Sequence, residues 1–331
     1  MTIDDLSTPA LVIDIDALDA NLATMANTHP GATLRPHVKA HKCTALAARQ
    51  SSVGHSAFTC ATPREVVGMA QAGLGSDLLL ANESLDPTRL QAMAAQQSNA
   101  RITIAVDSQI TIDAAAQAGL RDVLIDINIG LPRCGCQPRD AGEMAERAAA
   151  KGLNVRGVMG YEGHLMMVTN RSEQRSRVAD AVERLLMAHQ QVGGDIVSGG
   201  GTGTYDLHEH LTEVQAGSYA LMDTRYAQLG LPFRQACWVV GTVIAVGDQF
   251  AVADVGLKAM GMDHGNPSID DALVHFLSDE HTTFGGRACT VGQRIRVTPA
   301  HIDPTMALHD TAWLVQGDEV VDRWMIDLRG W

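Results

Sequence analysis

The chain lacks any apolar run of about 18 residues, so no segment reads as a membrane-spanning helix. It lacks a basic excess: the formal net charge is −13, which argues against a nucleic-acid partner. The acidic surplus is dispersed, with no block of like charge to form an acidic tail. The N-terminal MTIDDLSTPA lacks the basic-then-apolar order of a secretory signal. Six cysteines in 331 residues without such a signal read as reduced thiols, so the expected location is the cytoplasm. Cys134 and Cys136 stand one residue apart, which is not the CxxC redox spacing, and they read as structural. Internal repeats and low-complexity linkers are also missing.

What is present is a long alternation. Short apolar, β-rich runs occur at Leu34–Ala40, Ala57–Thr62, Asp77–Asn82, Ile102–Asp107, Val123–Ile129, Val155–Tyr161, Asp195–Gly199 and Glu213–Leu221. Continuous rather than alternating apolarity is the mark of parallel strands buried on both faces. Helical patterns separate them. Thr62-Pro63-Arg64-Glu65 opens one with an N-cap, a proline at N1 and a glutamate at N3; Asp86-Pro87 opens another; Gly73, Gly119 and Gly152 close helices. Eight such units predict an α/β fold, a (β/α)8 TIM-like barrel, with an open doubly wound sheet as the alternative. Apolar residues make up 46% of the chain, enough for its core.

Past residue 232 the helical patterns stop. Runs at Trp238–Val246, Gln249–Ala253, Ala272–Leu277, Arg294–Thr298, Thr311–Val315 and Val320–Ile326 predict strands, with Val246-Gly247-Asp248 and Gln316-Gly317-Asp318 as hairpin turns. The expectation is a barrel over residues 8–232 and a C-terminal all-β domain over 233–331. The N-terminal segment 1–15 joins the latter through a strand at Ala10–Ile15.

Four constellations carry chemistry. Lys39 ends the first predicted barrel strand, at the rim where barrel active sites lie, with Arg35, His37, His41 and Lys42 around it. Neighbouring cations and partial burial favour the neutral amine, able to attack a carbonyl and so to carry an aldehyde cofactor; the same residues also read as a surface lysine cluster. Ser198-Gly199-Gly200-Gly201-Thr202-Gly203-Thr204 follows the seventh strand, where glycine amides and hydroxyls can cradle a phosphate; Gly217-Ser218-Tyr219 is a second candidate set. The run matches neither a Walker A loop nor GxGxxG, and it also reads as a tight turn. His301 and Asp303, two apart in a segment expected to be extended, would share a face and could hold a divalent metal, with Mn²⁺, Mg²⁺ and Zn²⁺ all compatible; they also read as an ordinary polar pair. Leu131-Pro132-Arg133-Cys134-Gly135 and Tyr161-Glu162-Gly163-His164 follow strands. Arg133 could pair with an oxyanion on a cofactor ring, Tyr161 could pack on that ring, and His164 could act as acid or base; all three also read as loop residues with local hydrogen bonds.

The collinear set RPHVKAHK, CAT, RCG, GYEGH, SGGGTGT, EVQAGSY, DVGLKA, DEH and PAHIDPT resembles the D-threonine aldolase and D-serine dehydratase family. The likeness runs from Thr8-Pro9-Ala10-Leu11-Val12 to Leu308-His309-Asp310, essentially the whole chain. It implies a fold type III pyridoxal 5′-phosphate enzyme with an alanine racemase-like barrel and a β domain. Lys39 would be the lysine that carries the cofactor. Gly200, Gly201, Thr202, Gly217, Ser218 and Tyr219 would lie in its phosphate-binding segments, and Arg133 and Tyr161 around its ring. His301 and Asp303 would be the metal pair, and His164 or a metal-bound hydroxide the base. Dehydratases of the group tend to show His-x-Cys, and aldolases His-x-Asp followed by Pro-Thr; Asp303-Pro304-Thr305 therefore points to the aldolase branch. The implied reaction cleaves a small D-β-hydroxy-α-amino acid, D-threonine-like, to glycine and an aldehyde, in a homodimer. Dehydration of D-serine or D-3-hydroxyaspartate, a non-catalytic pyridoxal-phosphate carrier and a racemase are the alternatives. The chain is shorter than typical members, a departure that bears on the substrate pocket more than on cofactor binding.

Overall fold

The computed structural model describes residues 1–331, which divide into two compact units. Unit 1 comprises Met1–Thr24, Ala40–Ala45 and Ser218–Arg329; unit 2 comprises Met25–Lys39, Leu46–Gly217 and Gly330–Trp331. The sequence expectation set its boundary at 232, and the division by contacts falls at Gly217. No helix is long and apolar enough to cross a membrane. All six cysteines are free thiols.

The first strand, β1 (Ala10–Asp14), lies in unit 1. Unit 2 holds seven parallel strands in sequential order: β2 (Ala57–Cys60), β3 (Asp77–Leu80), β4 (Arg101–Val106), β5 (Asp122–Asp126), β6 (Asn154–Met159), β7 (Ile196–Gly199) and β8 (Glu213–Val214). Their apolar runs are buried, and Leu79, Ala105, Leu124, Met159 and Ile196 form one cluster across five adjacent strands. The helices between them start as their caps dictate. Thr62 accepts the Glu65 amide while Glu65 accepts the Ala61 amide at 2.6 Å, and Asp86 takes the amides of Thr88 and Arg89.

The expected first barrel strand over Leu34–Ala40 is not a regular strand. Leu34 bridges Val214 and His37 bridges Thr59, which joins β8 to β2 and fills the eighth position of the ring. Pro36 between them has no N–H to donate, and Val38–Ala40 turns into a 3-10 helix, so Lys39 stands on a turn instead of a strand end. The expected Glu213–Leu221 strand likewise stops at Val214, and Ser218–Ala220 is a 3-10 turn.

Unit 1 is built on a nine-stranded sheet. Its strands are β9 (Cys237–Val246), β10 (Ala251–Ala253), β11 (Ser268–Ile269), β12 (Leu273–Leu277), β13 (Thr282–Gly285), β14 (Arg294–Thr298), β15 (Thr311–Gln316), β16 (Glu319–Met325) and β1. The main path runs β12-β13-β10-β9-β1-β15-β16, with β14 also on β9 and β11 on β14. The N-terminal strand sits antiparallel to β9 and parallel to β15, and its Ala10 and Val12 pack with Trp238, Val240 and Val315. Both expected hairpins form, β9–β10 and β15–β16, the latter on Gly317 at φ +62°. Three features were not expected: the short strand β11, strand β13, and a helix over Ile302–Leu308 inside what reads as an all-β region.

Candidate active site

In unit 2 the expected ring-binding residues converge on one aromatic. The Lys39 ammonium lies 6.0 Å and the Arg133 guanidinium 5.4 Å from the centre of the Tyr161 ring. The chain turns at β6, at the Leu131–Cys136 loop and at Val38–Ala40 bring together residues far apart in sequence. Lys39 and Tyr161 are half-buried and Arg133 is exposed.

Arg35 does not crowd Lys39 with unbalanced charge, contrary to the sequence expectation. It is 3% exposed, with Nε donating to Glu213 at 2.8 Å and Nη1 to Asp77 at 3.2 Å. Glu213 also accepts from Ser198, and Asp77 from Arg156, so a polar network ties β3, β6, β7 and β8 through the ring interior. Burial would raise the Asp77 carboxyl, but the Arg156 hydrogen bonds and the Arg35 charge outweigh it and hold it below the usual range.

The glycine loop after β7 lies against the end of β6. A Cβ on Gly201 would stand 2.8 Å from Met166 Sδ and 3.4 Å from Tyr161 Cε2, so Met166 would have to shift, and Gly200 sits at φ +76°, where glycine is favoured. Beneath the loop is a carboxylate that sequence reading passed over. Glu162, 1% exposed, accepts from Thr204 Oγ1 at 2.7 Å and from the Gly200 amide at 3.3 Å, and pairs with His208 Nε2 at 2.9 Å. Burial acts to raise Glu162, yet the His208 and Thr204 bonds prevail and hold its carboxyl below the usual range. Its only sequence signal was its place in the GYEGH motif.

Thr202 is buried in the 3-10 turn that continues the loop. His164 is exposed beside Gly130, where a Cβ would meet its ring at 3.0 Å. Partial burial and the charges of Arg177 and Arg184 lower its pKa, leaving a neutral imidazole at pH 7.

Unit 1 carries the other set. His301 is the N-cap of the Ile302–Leu308 helix and Asp303 lies in its first turn. The expected extended His-x-Asp pair is thus a helix start, because Asp223 accepts the Ile302 amide at 3.1 Å and Pro304 suits a first turn. Asp303 accepts from Ser218 Oγ at 3.1 Å. His301 Nδ1 lies 2.7 Å from Asp263 Oδ2, and its ring stacks on His264 at 3.8 Å and 9°. Neither Asp263 nor His264 stood out in the sequence, since nothing local links residue 263 to 301. The Asp263 carboxyl is pushed up by burial but lowered on balance by its bond to His301. Burial of Asp223, offset in part by the backbone amides of Tyr226 and Ile302, raises its pKa to about 6. Tyr219 is fully buried against Phe233, at 5.7 Å and 55°, a core position.

These residues fit the groups the motifs imply. A lysine amine and a guanidinium beside one aromatic ring and a loop of glycines and hydroxyls suit an anionic aromatic aldehyde. An imidazole with a carboxylate beside it, and a second carboxylate two residues on in the same helix start, suits a divalent cation of borderline hardness.

Residues 13–225 match the family model described as alanine racemase, N-terminal domain, and residues 236–315 the putative serine dehydratase domain. The chain is 33% identical to a D-threonine aldolase of Arthrobacter sp, over 98% of this chain and 93% of that one. It is 30% identical to a 3-hydroxy-D-aspartate aldolase of Paracoccus denitrificans (strain Pd 1222), with the same coverage of 98% and 93%. Among solved structures it superposes on a D-threonine aldolase from Filomicrobium marinum with a TM-score of 0.93, at 32% identity, over 99% of this chain and 97% of that one.

Proposed function

The chain belongs to the D-threonine aldolase and D-serine dehydratase family, with an alanine racemase-like barrel, and from that membership we propose that it cleaves D-β-hydroxy-α-amino acids, D-threonine-like, to glycine and an aldehyde. The observation that carries the reading is the meeting of Lys39 and Arg133 on the ring of Tyr161 beside the glycine loop. Pyridoxal phosphate would be held by Lys39 through its amine, by Arg133 and Tyr161 at its ring, and by Gly200, Gly201, Thr202, Gly217 and Ser218 at its phosphate. When bound it supplies an electron sink at Cα. His301 and Asp303 would hold a divalent ion, Mn²⁺ in this reading, which supplies Lewis acidity toward a hydroxyl.

In the reaction the Cα–Cβ bond breaks and its electron pair goes to Cα. The β-hydroxyl loses its proton and becomes the aldehyde carbonyl, and a proton returns to Cα to give glycine. His164 Nε2 or Nδ1 is the proposed proton acceptor, because its lowered pKa keeps it neutral at pH 7. The glycine loop, held from below by Glu162, orients the cofactor. A homodimer in the cytoplasm completes the reading.

The test is to load the purified protein with pyridoxal phosphate and incubate it with D-threonine before and after chelation and Mn²⁺ restoration. Metal-dependent acetaldehyde and glycine are expected. The match of residues 236–315 to the serine dehydratase domain favours a second reading, dehydration, for which the products would be a 2-oxo acid and ammonia. Gel filtration of the active protein at a monomer's mass would overturn the dimer.

A further inference from the structure

Two side chains cluster with His301, the ligand atoms of Asp263, His264 and His301 all lying within 4.8 Å of one another. Their geometry does not make them three ligands to one ion. An imidazole binds a cation through a lone pair that lies in the plane of its ring. The His264 and His301 rings are 3.8 Å apart and 9° from parallel. Planes so placed do not meet near the rings, and one ion cannot lie in both.

The remaining contact is more telling. His301 Nδ1 and Asp263 Oδ2 are 2.7 Å apart, a charge-assisted hydrogen-bond distance. A carboxylate oxygen at that distance occupies Nδ1 as a hydrogen-bond acceptor, which leaves Nε2 as the ring nitrogen open to a cation. This is the arrangement in which a carboxylate fixes the tautomer and plane of a metal-ligating histidine and raises its basicity.

The backbone holds the pair in place. Gly261 bridges His301, the Gly261 amide donates to Thr305 Oγ1 at 3.1 Å, and that hydroxyl donates to the His301 carbonyl at 2.7 Å. A Cβ on Gly261 would come 2.3 Å from Pro304 Cγ, so the loop bearing Asp263 lies directly on the helix start that bears His301.

We propose that Asp263 is the positioning residue that presents His301 Nε2 to the divalent cation, and that His264 covers the ring without ligating it. The inference rests on the reading of His301 as a metal ligand given above. It places no ligand role on Asp263.

The experiment uses the full chain loaded with pyridoxal phosphate and stripped of metal. Free Mn²⁺ is followed by electron paramagnetic resonance during titration of the wild type, Asp263→Ala and His264→Phe, with cofactor absorbance as a control. Asp263 is more than half exposed, at 56%, so its truncation leaves the core intact. Expected are a roughly 10- to 100-fold weaker Mn²⁺ affinity in Asp263→Ala, an affinity within about three-fold of wild type in His264→Phe, and unchanged cofactor absorbance in both. In the Zn²⁺-loaded wild type, ¹⁵N spectra of His301 should show the proton on Nδ1, and in Asp263→Ala that signature should be lost or mixed.

Wild-type affinity in Asp263→Ala would overturn the positioning role. A loss in His264→Phe equal to that in Asp263→Ala would overturn the cover role and make His264 a ligand. A wild type that takes up no stoichiometric Mn²⁺ would overturn the metal reading itself, and the inference with it, and is told apart from the first two by the wild-type titration alone.

Discussion

Replacing Glu162 with alanine tests how the glycine loop is held. The carboxylate is 1% exposed, and Thr204 Oγ1, the Gly200 amide and His208 Nε2 converge on it at 2.7, 3.3 and 2.9 Å. A hydrogen bond to a charged group contributes about 1.5–3 kcal/mol, and such bonds within one network do not add. The His208 side chain, 0% exposed with Nδ1 already unpartnered, would keep only the Thr204 hydroxyl, 3.0 Å from its Nε2. Glu162→Ala should therefore lose about 1.5–3 kcal/mol in urea unfolding at pH 7, and Glu162→Gln, which keeps one acceptor oxygen, less. The sign with pH follows from the depressed carboxyl. The wild-type contribution is full above the ordinary value of 4.5 and is lost as the pH falls through the lower folded value. The gap between wild type and Glu162→Ala should thus narrow only in acid. Pyridoxal phosphate titrated by absorbance should bind more weakly to the variant, because Gly200 loses its anchor. A loss under about 1 kcal/mol, or a gap that does not change between pH 7 and pH 3, would refute the reasoning.

Lys39→Ala should abolish both the cofactor's lysine-dependent absorbance and turnover of D-threonine; wild-type turnover would end the proposed function. Gly200→Ala puts a side chain at φ +76° and 2.8 Å from His208 Nε2, and should cost about 1–3 kcal/mol with weaker cofactor binding, read by melting and absorbance. Asp223 has a folded pKa raised to about 6, so its contribution is present at low pH and lost as the pH rises through 6; in metal-free protein, Asp223→Asn should flatten the stability profile between about pH 4 and pH 7, as followed by urea unfolding. Arg35→Ala strips the buried Glu213 of its cation and should destabilise by about 3–5 kcal/mol, whereas an exposed pair such as Arg147–Glu143 should shift stability by less than about 1 kcal/mol.

Much of the architecture was legible because it depends on local rules. Apolar runs buried on both faces announced β2 to β7, and Thr62 and Asp86 marked helix starts with side chains that reach only three residues ahead. The glycine loop and Lys39 were visible for the same reason: a run of glycines after a strand, and a lysine among basic residues, need no partner to be noticed. The Ile302–Leu308 helix was hidden, since its start depends on Asp223, 79 residues earlier. Pairings that close over distance left no local mark. Arg35 reads in sequence as one more cation near Lys39, and only the fold brings Glu213, 178 residues away, to neutralise it. Glu162 meets His208 and Asp263 meets His301 on the same terms, across 46 and 38 residues. Sequence by itself determined which reactive groups the chain carries and in what order, because residue types and short-range spacing are written there. The tertiary structure decided which charges are compensated, which carboxylate holds which imidazole and which loop is pinned, because those depend on contacts that form only when distant segments pack.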